Sequence, residues 1–353
     1  MTTFSPGLPH FLLMLLACTP IHAGLLYYEG FDYPVAEDGL KYQGGFAATP
    51  NPASGADADI AAGSLRYLDA AGNALITRGH HAGVDSHEER ATVSNIAPVL
   101  QLPGPQPAGR EIWISFMGQQ TAGTTLRFFN LSLRAPDDTL QPADADASMD
   151  EIIALGMPSG AADPLWRVWD RSTGANLWTS AISTTPSTQL SLIVARFELN
   201  AVENLTERYT LWVNPPLGLP PSDATGFSMT SADSNLAAWS DIEQIRLAAG
   251  YNAGSPSGWN VDEIRIADTW EEALPYLPLR ITALQPGTTP GQWKISWLAA
   301  PGFTESVEWS PDLTQWFSYP SSLRLNGPEA GAAEFETPPE SPQRRYFRVR
   351  RGD

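Results

Sequence analysis

The chain has 353 residues and a formal net charge of -18, from 39 acidic residues against 21 basic ones, of which only Lys41 and Lys294 are lysines. A balance this acidic serves solubility and is repelled by phosphate backbones and anionic lipid surfaces, which excludes nucleic acid as a partner. The single cysteine, Cys18, excludes an internal disulfide, so stability must come from packing, to which twelve tryptophans contribute large apolar areas.

The first segment reads as an export signal. Phe11 to Ala17 is an apolar run too short to span a bilayer, followed by Pro20 and a small-residue exit at Ile21-His22-Ala23, so that cleavage leaves Gly24 as the mature start. Residues 2–10 lack the usual Lys or Arg flank. Leu15-Leu16-Ala17-Cys18 loosely matches a lipobox, with an atypical Leu at its second position, which leaves anchoring through Cys18 as the lesser alternative to release. The expected location is secreted, periplasmic or at the cell surface, with no transmembrane segment after signal cleavage.

Beyond it, 29 glycines and 31 prolines break the chain into short segments with no sustained helical period, which predicts an all-β protein. Strands are predicted over Leu25–Tyr33, Ser64–Leu68, Glu111–Met117, Thr125–Leu133, Glu151–Met157, Leu165–Asp170, Gln189–Glu198, Arg208–Val213, Ile242–Ala249 and Trp259–Ala267. About ten strands in this length imply a two-sheet sandwich. Thr269–Tyr276 predicts one short helical turn, and Pro275 and Pro278 mark a boundary. The division is therefore a signal peptide over 1–23, a large sandwich over 24–278 and a small immunoglobulin-like β-sandwich over 279–353. Strands of the last are expected over Leu279–Leu284, Gln292–Leu298, Glu305–Trp309, Gln315–Tyr319, Ala332–Glu336 and Arg345–Arg350.

Four segments in order, Tyr28-Glu29-Gly30-Phe31-Asp32-Tyr33, Leu192-Ile193-Val194-Ala195-Arg196-Phe197, Leu211-Trp212-Val213-Asn214-Pro215 and Val261-Asp262-Glu263-Ile264-Arg265-Ile266-Ala267-Asp268-Thr269-Trp270, carry a family likeness. Together they resemble the laminin-G-like, concanavalin-A-like domains of secreted bacterial proteins. The resemblance implies a jelly-roll sandwich with one concave sheet and a binding or adhesive role. It also includes relatives with a rim calcium, for which Asp32, Asp262 and Asp268 offer hard oxygen ligands. Glu305 to Trp316 and Arg345 to Arg350 resemble a fibronectin-type-III-like or immunoglobulin-like module that often follows such domains.

Catalytic signals are sparse. A retaining glycosidase on this fold needs two carboxylates on one strand face, yet no Glu-x-Asp tripeptide occurs, and Asp150-Glu151 and Asp262-Glu263 are adjacent pairs that alternation sends to opposite faces. A glycoside hydrolase ranks last among the readings, and the chain is expected not to be an enzyme. Asp262-Glu263 reads as a cation or ligand contact or, with more weight, as a turn cap or a partner of Arg265 or Arg196. His80, His81 and His87 with Glu88 and Glu89 match no metal-ligand spacing and read as a polar loop. The terminal Arg351-Gly352-Asp353 and the acceptor pattern Asn130-Leu131-Ser132 are read as chance matches.

Period-2 alternation then nominates a ligand groove. Phe128, Asn130 and Ser132 form one outward set, Arg167 and Trp169 a second, and Thr210 and Trp212 a third, opposite inward Tyr209, Leu211 and Val213. Trp169 and Trp212 would supply stacking faces and Asn130 and Arg167 hydrogen bonds for a sugar ring; the competing reading puts both tryptophans in the core. The expected partner is a glycan or extracellular polymer, with envelope proteins as the alternative for a purely structural role.

Overall fold

The computed structural model describes residues 24–353 apart from 38, 41–42, 45, 47–57, 85–92, 96–109, 123–128, 135–150, 158–165, 171–176, 179–187, 203–205, 223–225, 232–243, 250–257, 325–329, 340–344 and 353. The predicted signal, the lipobox, Phe128 and residues 85–89 of the His80–Glu89 segment lie outside the described residues. Among those described, no helix is long and apolar enough to cross a membrane.

The expected all-β class is what the structure has. Sheet I runs, in spatial order, β13 (Phe227–Ser231), β12 (Thr206–Val213), β11 (Ser191–Val202), β6 (Arg110–Ala122), β15 (Gly258–Ala267), β4 (His81–Val84) and β2 (Asp59–Ala61). Strand β1 (Leu25–Glu29) pairs with the second half of β15, beyond the part that pairs with β4. Sheet II runs β10 (Leu177–Trp178), β9 (Arg167–Asp170), β8 (Glu151–Met157), β7 (Phe129–Arg134), β14 (Gln244–Ala249) and β5 (Val93–Asn95). The chain crosses between sheets from β4 to β5, β6 to β7 and β13 to β15 by way of β14. Strands of consecutive crossings thus end up side by side, as in a jelly roll.

The two sheets share one core. Ile112, Ile114 and Phe116 of β6, Ile193, Ala195 and Phe197 of β11 and Tyr209 and Leu211 of β12 meet Phe129, Leu131 and Leu133 of β7 and Ile245 and Leu247 of β14. Trp166 sits among Phe116, Phe129 and Trp259, with ring centroids 5.6 to 6.4 Å apart. The predicted strands were mostly right in place. Ser64–Leu68 is not a strand, and among the described residues seven short strands escaped prediction, one of them β4, whose His-Ala-Gly-Val carries no β-branched run until its last residue.

Sheet I is buried on both faces, which explains the unbroken apolar run of β11. Trp113, Met117, Leu192, Val194 and Trp212 turn away from the shared core and meet a second apolar layer. That layer is built from Tyr67 and Leu75, from Leu217, and from helix α1 (Trp270–Ala273), which brings Trp270, Ala273 and Leu274. The Thr269 side chain accepts from the Glu272 amide and so starts the helix. Polar ties fix the cover in place: Ser115 donates to the Ala273 carbonyl (2.7 Å), Tyr67 to the Pro215 carbonyl (3.0 Å), and the Leu217 amide to Asp69 (2.9 Å). Strands β3 (Ala74–Leu75) and β16 (Tyr276–Leu277) pair within the same layer.

The tail is a small sandwich of two antiparallel sheets. One runs β17 (Ile281–Pro286), β18 (Trp293–Ala299), β21 (Gly331–Glu336), and the other β20 (Phe317–Arg324), β19 (Thr304–Ser310), β22 (Tyr346–Gly352). They enclose Ile295, Trp297, Val307, Tyr319 and Val349. Arg351 is buried against Glu305 and donates to the carbonyls of Gly72, Leu277 and Leu298. The arginine of the terminal tripeptide is thus a structural tie between the tail and the large sandwich.

Candidate functional site

Strand register sorts the nominated residues onto two different sheets. On sheet II, Phe129, Leu131 and Leu133 point into the shared core, so Asn130 and Ser132 occupy the opposite, outer face. Cross-strand pairing extends a row from Ser132 through Ala154 to Trp169 and Trp178 on one side and to Arg246 and Val93 on the other. A second row joins Asn130 with Gly156, Arg167 and Ala248. Six strands about 4.8 Å apart give the first row a length of about 24 Å.

The middle of this face is lined by small residues. Gly156 has φ +152, and a Cβ there would lie 2.0 Å from the Phe129 carbonyl oxygen, so β8 approaches β7 closely only because the position is glycine. Ser132 is 0 % exposed, and its hydroxyl has no hydrogen-bond partner among the described residues. Asn130 is buried beside it, Arg246 is 8 % exposed and Arg167 is half-buried. A buried hydroxyl without a partner is uncommon, because leaving it unpaired costs about 1–3 kcal/mol.

Thr210 and Trp212 do not join this face, which corrects the groove expected from the sequence. The alternation along β12 is as predicted, with Tyr209 and Leu211 in the shared core, but Thr210 and Trp212 lie on the far side of sheet I, under the second apolar layer. Trp212 stacks on Trp113 at 5.7 Å, Trp113 meets Trp270 edge-on at 5.3 Å, and the Arg196 guanidinium lies 5.6 and 5.7 Å from the Trp113 and Trp212 rings. Arg196 is also paired with Glu111 (3.6 Å) and Glu198 (3.4 Å). Trp169 and Trp212 therefore stand on different sheets.

The three aspartates nominated for calcium do not form a ligand set either. Asp262 is completely buried, and its two oxygens accept from the amides of Leu65 (2.7 Å) and Glu263 (2.8 Å). Asp268 accepts from the Gly24 amide, and Asp32 is exposed. No group of three or more His, Cys, Asp or Glu among the described residues is arranged to hold a metal. Asp262 and Asp268 spend their oxygens on backbone amides, and Asp32 alone does not make a calcium site.

What the family-like segments build instead is a buried polar knot. A β-bulge between Asp262 and Arg265, with Glu263 at φ +54, shifts the strand phase: Trp259 and Val261 face the shared core before it, Ile264 and Ile266 after it. Glu263 accepts from the Arg78 amide (2.6 Å) and the Tyr28 hydroxyl (3.0 Å) and pairs with Arg265 (2.8 Å). The pairing with Arg265 is the alternative the sequence favoured. Glu29 accepts from the Phe31 amide and the Tyr33 hydroxyl, both at 2.7 Å. Burial pushes the Asp262 carboxyl well above the usual carboxylate range, with the neighbouring Glu263 charge adding to it. Burial also raises Glu263, against the pull of Arg265, and raises Glu29.

His80 and His81 are likewise engaged at the backbone. The His80 ring accepts from the Gly63 amide (3.0 Å), and the His81 ring nitrogen lies 2.6 Å from the Gly63 carbonyl.

No protein-family model matches the chain, and no curated protein matches it. Solved structures do. They include the calreticulin globular domain of T. cruzi, with 11% identity over 70% of this chain and 90% of that one at a TM-score of 0.38. A second is an endo-beta-1,4-glucuronan lyase from the fungus Trichoderma reesei, with 9% identity over 71% and 98% at 0.35. A third is a lectin from Bauhinia forficata in complex with GalNAc, with 11% identity over 68% and 98% at 0.30. No residue role carries across at these values.

Two parts of the sheet II face escaped the sequence reading. Arg246 was not nominated because Ile242–Ala249 was read only as a strand, although its flanking Ile245 and Leu247 already set its phase. Gly156 had the signal of a glycine inside an apolar strand, which marks close backbone approach.

Proposed function

We propose that the protein is a secreted, non-catalytic glycan binder that holds its ligand on the outer face of sheet II. The observation that carries this reading is the row formed by Trp178, Trp169, Ala154, Ser132 and Arg246, in which the Ser132 hydroxyl is buried without a partner among the described residues. Tryptophan is a residue type that stacks on sugar rings, and serine, asparagine and arginine are residue types that offer directional polar groups. Of the positions that register places outward on β7, β8, β9 and β14 between Asn130 and Ser132, Ala154 and Gly156, Arg167 and Trp169, and Arg246 and Ala248, none is a carboxylate, histidine or tyrosine. That favours holding over proton transfer.

A glycan array probed with the full chain tests the reading. Binding to at least one glycan is expected, with loss of that binding in Trp169→Ala while the melting temperature stays within a few degrees of the parent. An array without signal, or binding unaffected by Trp169→Ala and by Ser132→Leu, would move the function elsewhere.

A further inference from the structure

The two readings of the first segment differ in what they make of one nitrogen. Cleavage after Ala23 turns the Gly24 nitrogen into a terminal ammonium, whereas anchoring through Cys18 keeps it as a peptide amide inside the chain. The fold gives that nitrogen a defined place. It lies 2.5 Å from Oδ1 of Asp268, and the Asp268 amide donates back to the Gly24 carbonyl at 3.2 Å, one residue beyond the Leu25–Ala267 pair that opens the β1–β15 ladder. Both residues are half-buried, and Asp268 has no cationic partner among the described residues.

Position gives this contact its weight. A terminal strand frays unless it is tied down, and β1 carries a register shift between Leu25 and Tyr27, close to its start. The far end is fastened at Glu29, which accepts from the Phe31 amide and the Tyr33 hydroxyl. Asp268 fastens the near end. It also directly precedes Thr269, whose side chain starts α1 and so helps set Trp270 in the cover of sheet I. A peptide amide offers this carboxylate one hydrogen, while an ammonium offers three and a full positive charge, and a charged hydrogen bond is roughly twice as strong as a neutral one. With 39 acidic residues for 21 basic ones, the side chains cannot neutralise every carboxylate, and a new terminus supplies a cation here.

We propose that the chain is processed between Ala23 and Gly24 and that Asp268 is the binding site of the new amino terminus, pinning β1 to the start of α1. In that step water adds across the Ala23–Gly24 peptide bond under an export peptidase, the carboxylate leaves with Ala23, and the amine on Gly24 takes up a proton. A cut at any earlier bond carries the ammonium away from this position by about 3.3 Å for each residue retained. The proposal rests on the reading of the protein as secreted and is independent of the glycan site.

The first measurement is the intact mass of the full chain exported by a Gram-negative host, for which a start at Gly24 is expected. A start at any other residue, or at Cys18 with a diacylglycerol mass, overturns the proposal and leaves export standing; Met1 retained in the cytoplasm overturns export as well. The second compares this chain with one extended back to Ile21, each with Asp268 and with Asp268→Asn, which keeps an acceptor for an amide and removes the charge. Asp268→Asn is expected to lower the melting temperature of the Gly24 chain by about 2–4 °C, and that of the extended chain by less than about 1 °C. Equal shifts overturn the ion pair. Amine labelling reads the same contact without unfolding, since Lys41 and Lys294 are the only other amines. Near neutral pH the Gly24 amine is expected to acylate about threefold more slowly in the parent than in Asp268→Asn, and equal rates contradict its capture by Asp268. If Asp268→Asn fails to fold, acetylation of the Gly24 amine in the parent decides: a loss of about 2–4 °C is expected, and an unchanged melting temperature overturns the proposal.

Discussion

The outer faces of the two large sheets start from the same strand alternation and carry different side chains. On sheet I, Trp113, Val194 and Trp212 turn away from the shared core into a second apolar layer, and on sheet II the equivalent positions are Asn130, Ser132, Ala154, Gly156 and Arg246. The cause is what the chain does next. Tyr67, Leu75, Leu217 and Trp270 fold back over sheet I, and hydrogen bonds at Asp69, Ser115 and Tyr67 lock them there. Alternation tells which residues share a face but not how buried that face is: Ser132 and Ala154 on sheet II are as buried as Trp212 on sheet I, with polar and small side chains in place of apolar ones.

Trp212→Ala breaks the comparison most severely if it is wrong. Its ring is 3 % exposed and stacks on Trp113, so truncation is expected to cost about 3–5 kcal/mol in chemical denaturation. A change under about 1 kcal/mol would return Trp212 to the surface. Gly156→Ala comes next, with an expected loss of about 1–3 kcal/mol from the clash with the Phe129 carbonyl, together with weakened glycan binding. Binding intact at lowered stability would show that the β7–β8 approach matters to the fold alone.

How far these faces were legible follows from such residues. The phase of β12 was readable because Tyr209, Leu211 and Val213 alternate with polar Thr210, yet the same pattern made Trp212 look like a groove residue. Nothing local in Leu211-Trp212-Val213 records that α1, about sixty residues on, covers it. The bulge at Asp262-Glu263 was equally hidden, since it is defined by pairing with β1, β4 and β6 and by a positive φ at a glutamate. By contrast, the tail strands and the short helical turn after Thr269 were read from local pattern and from the prolines that break it.

The polar knot gives a smaller, pH-dependent effect. Asp262, Glu263 and Glu29 titrate above their ordinary values of 3.8 and 4.5 in the folded protein, so folding favours their protonated forms. Their contribution is fully present below those ordinary values and is lost as pH rises through the raised ones. Thermal melts should therefore show Asp262→Asn losing less stability than the parent between pH 4 and neutrality, whatever its offset at pH 4. Parallel curves would mean that Asp262 stays ionised throughout. The smallest effect is expected for Arg196→Met, about 1 kcal/mol, since its ion pairs are partly solvated and the aliphatic stem still covers both indoles.

The most direct measurement is hydrogen exchange of the full chain with and without the polysaccharide that binds it. Slowed exchange is predicted in residues 129–134, 151–157 and 244–249 of sheet II, with no change in 191–198, 208–213 or 270–273. Protection that falls on β11, β12 and α1, and spares β7, β8 and β14, would place the ligand on sheet I and contradict the assignment of the two faces.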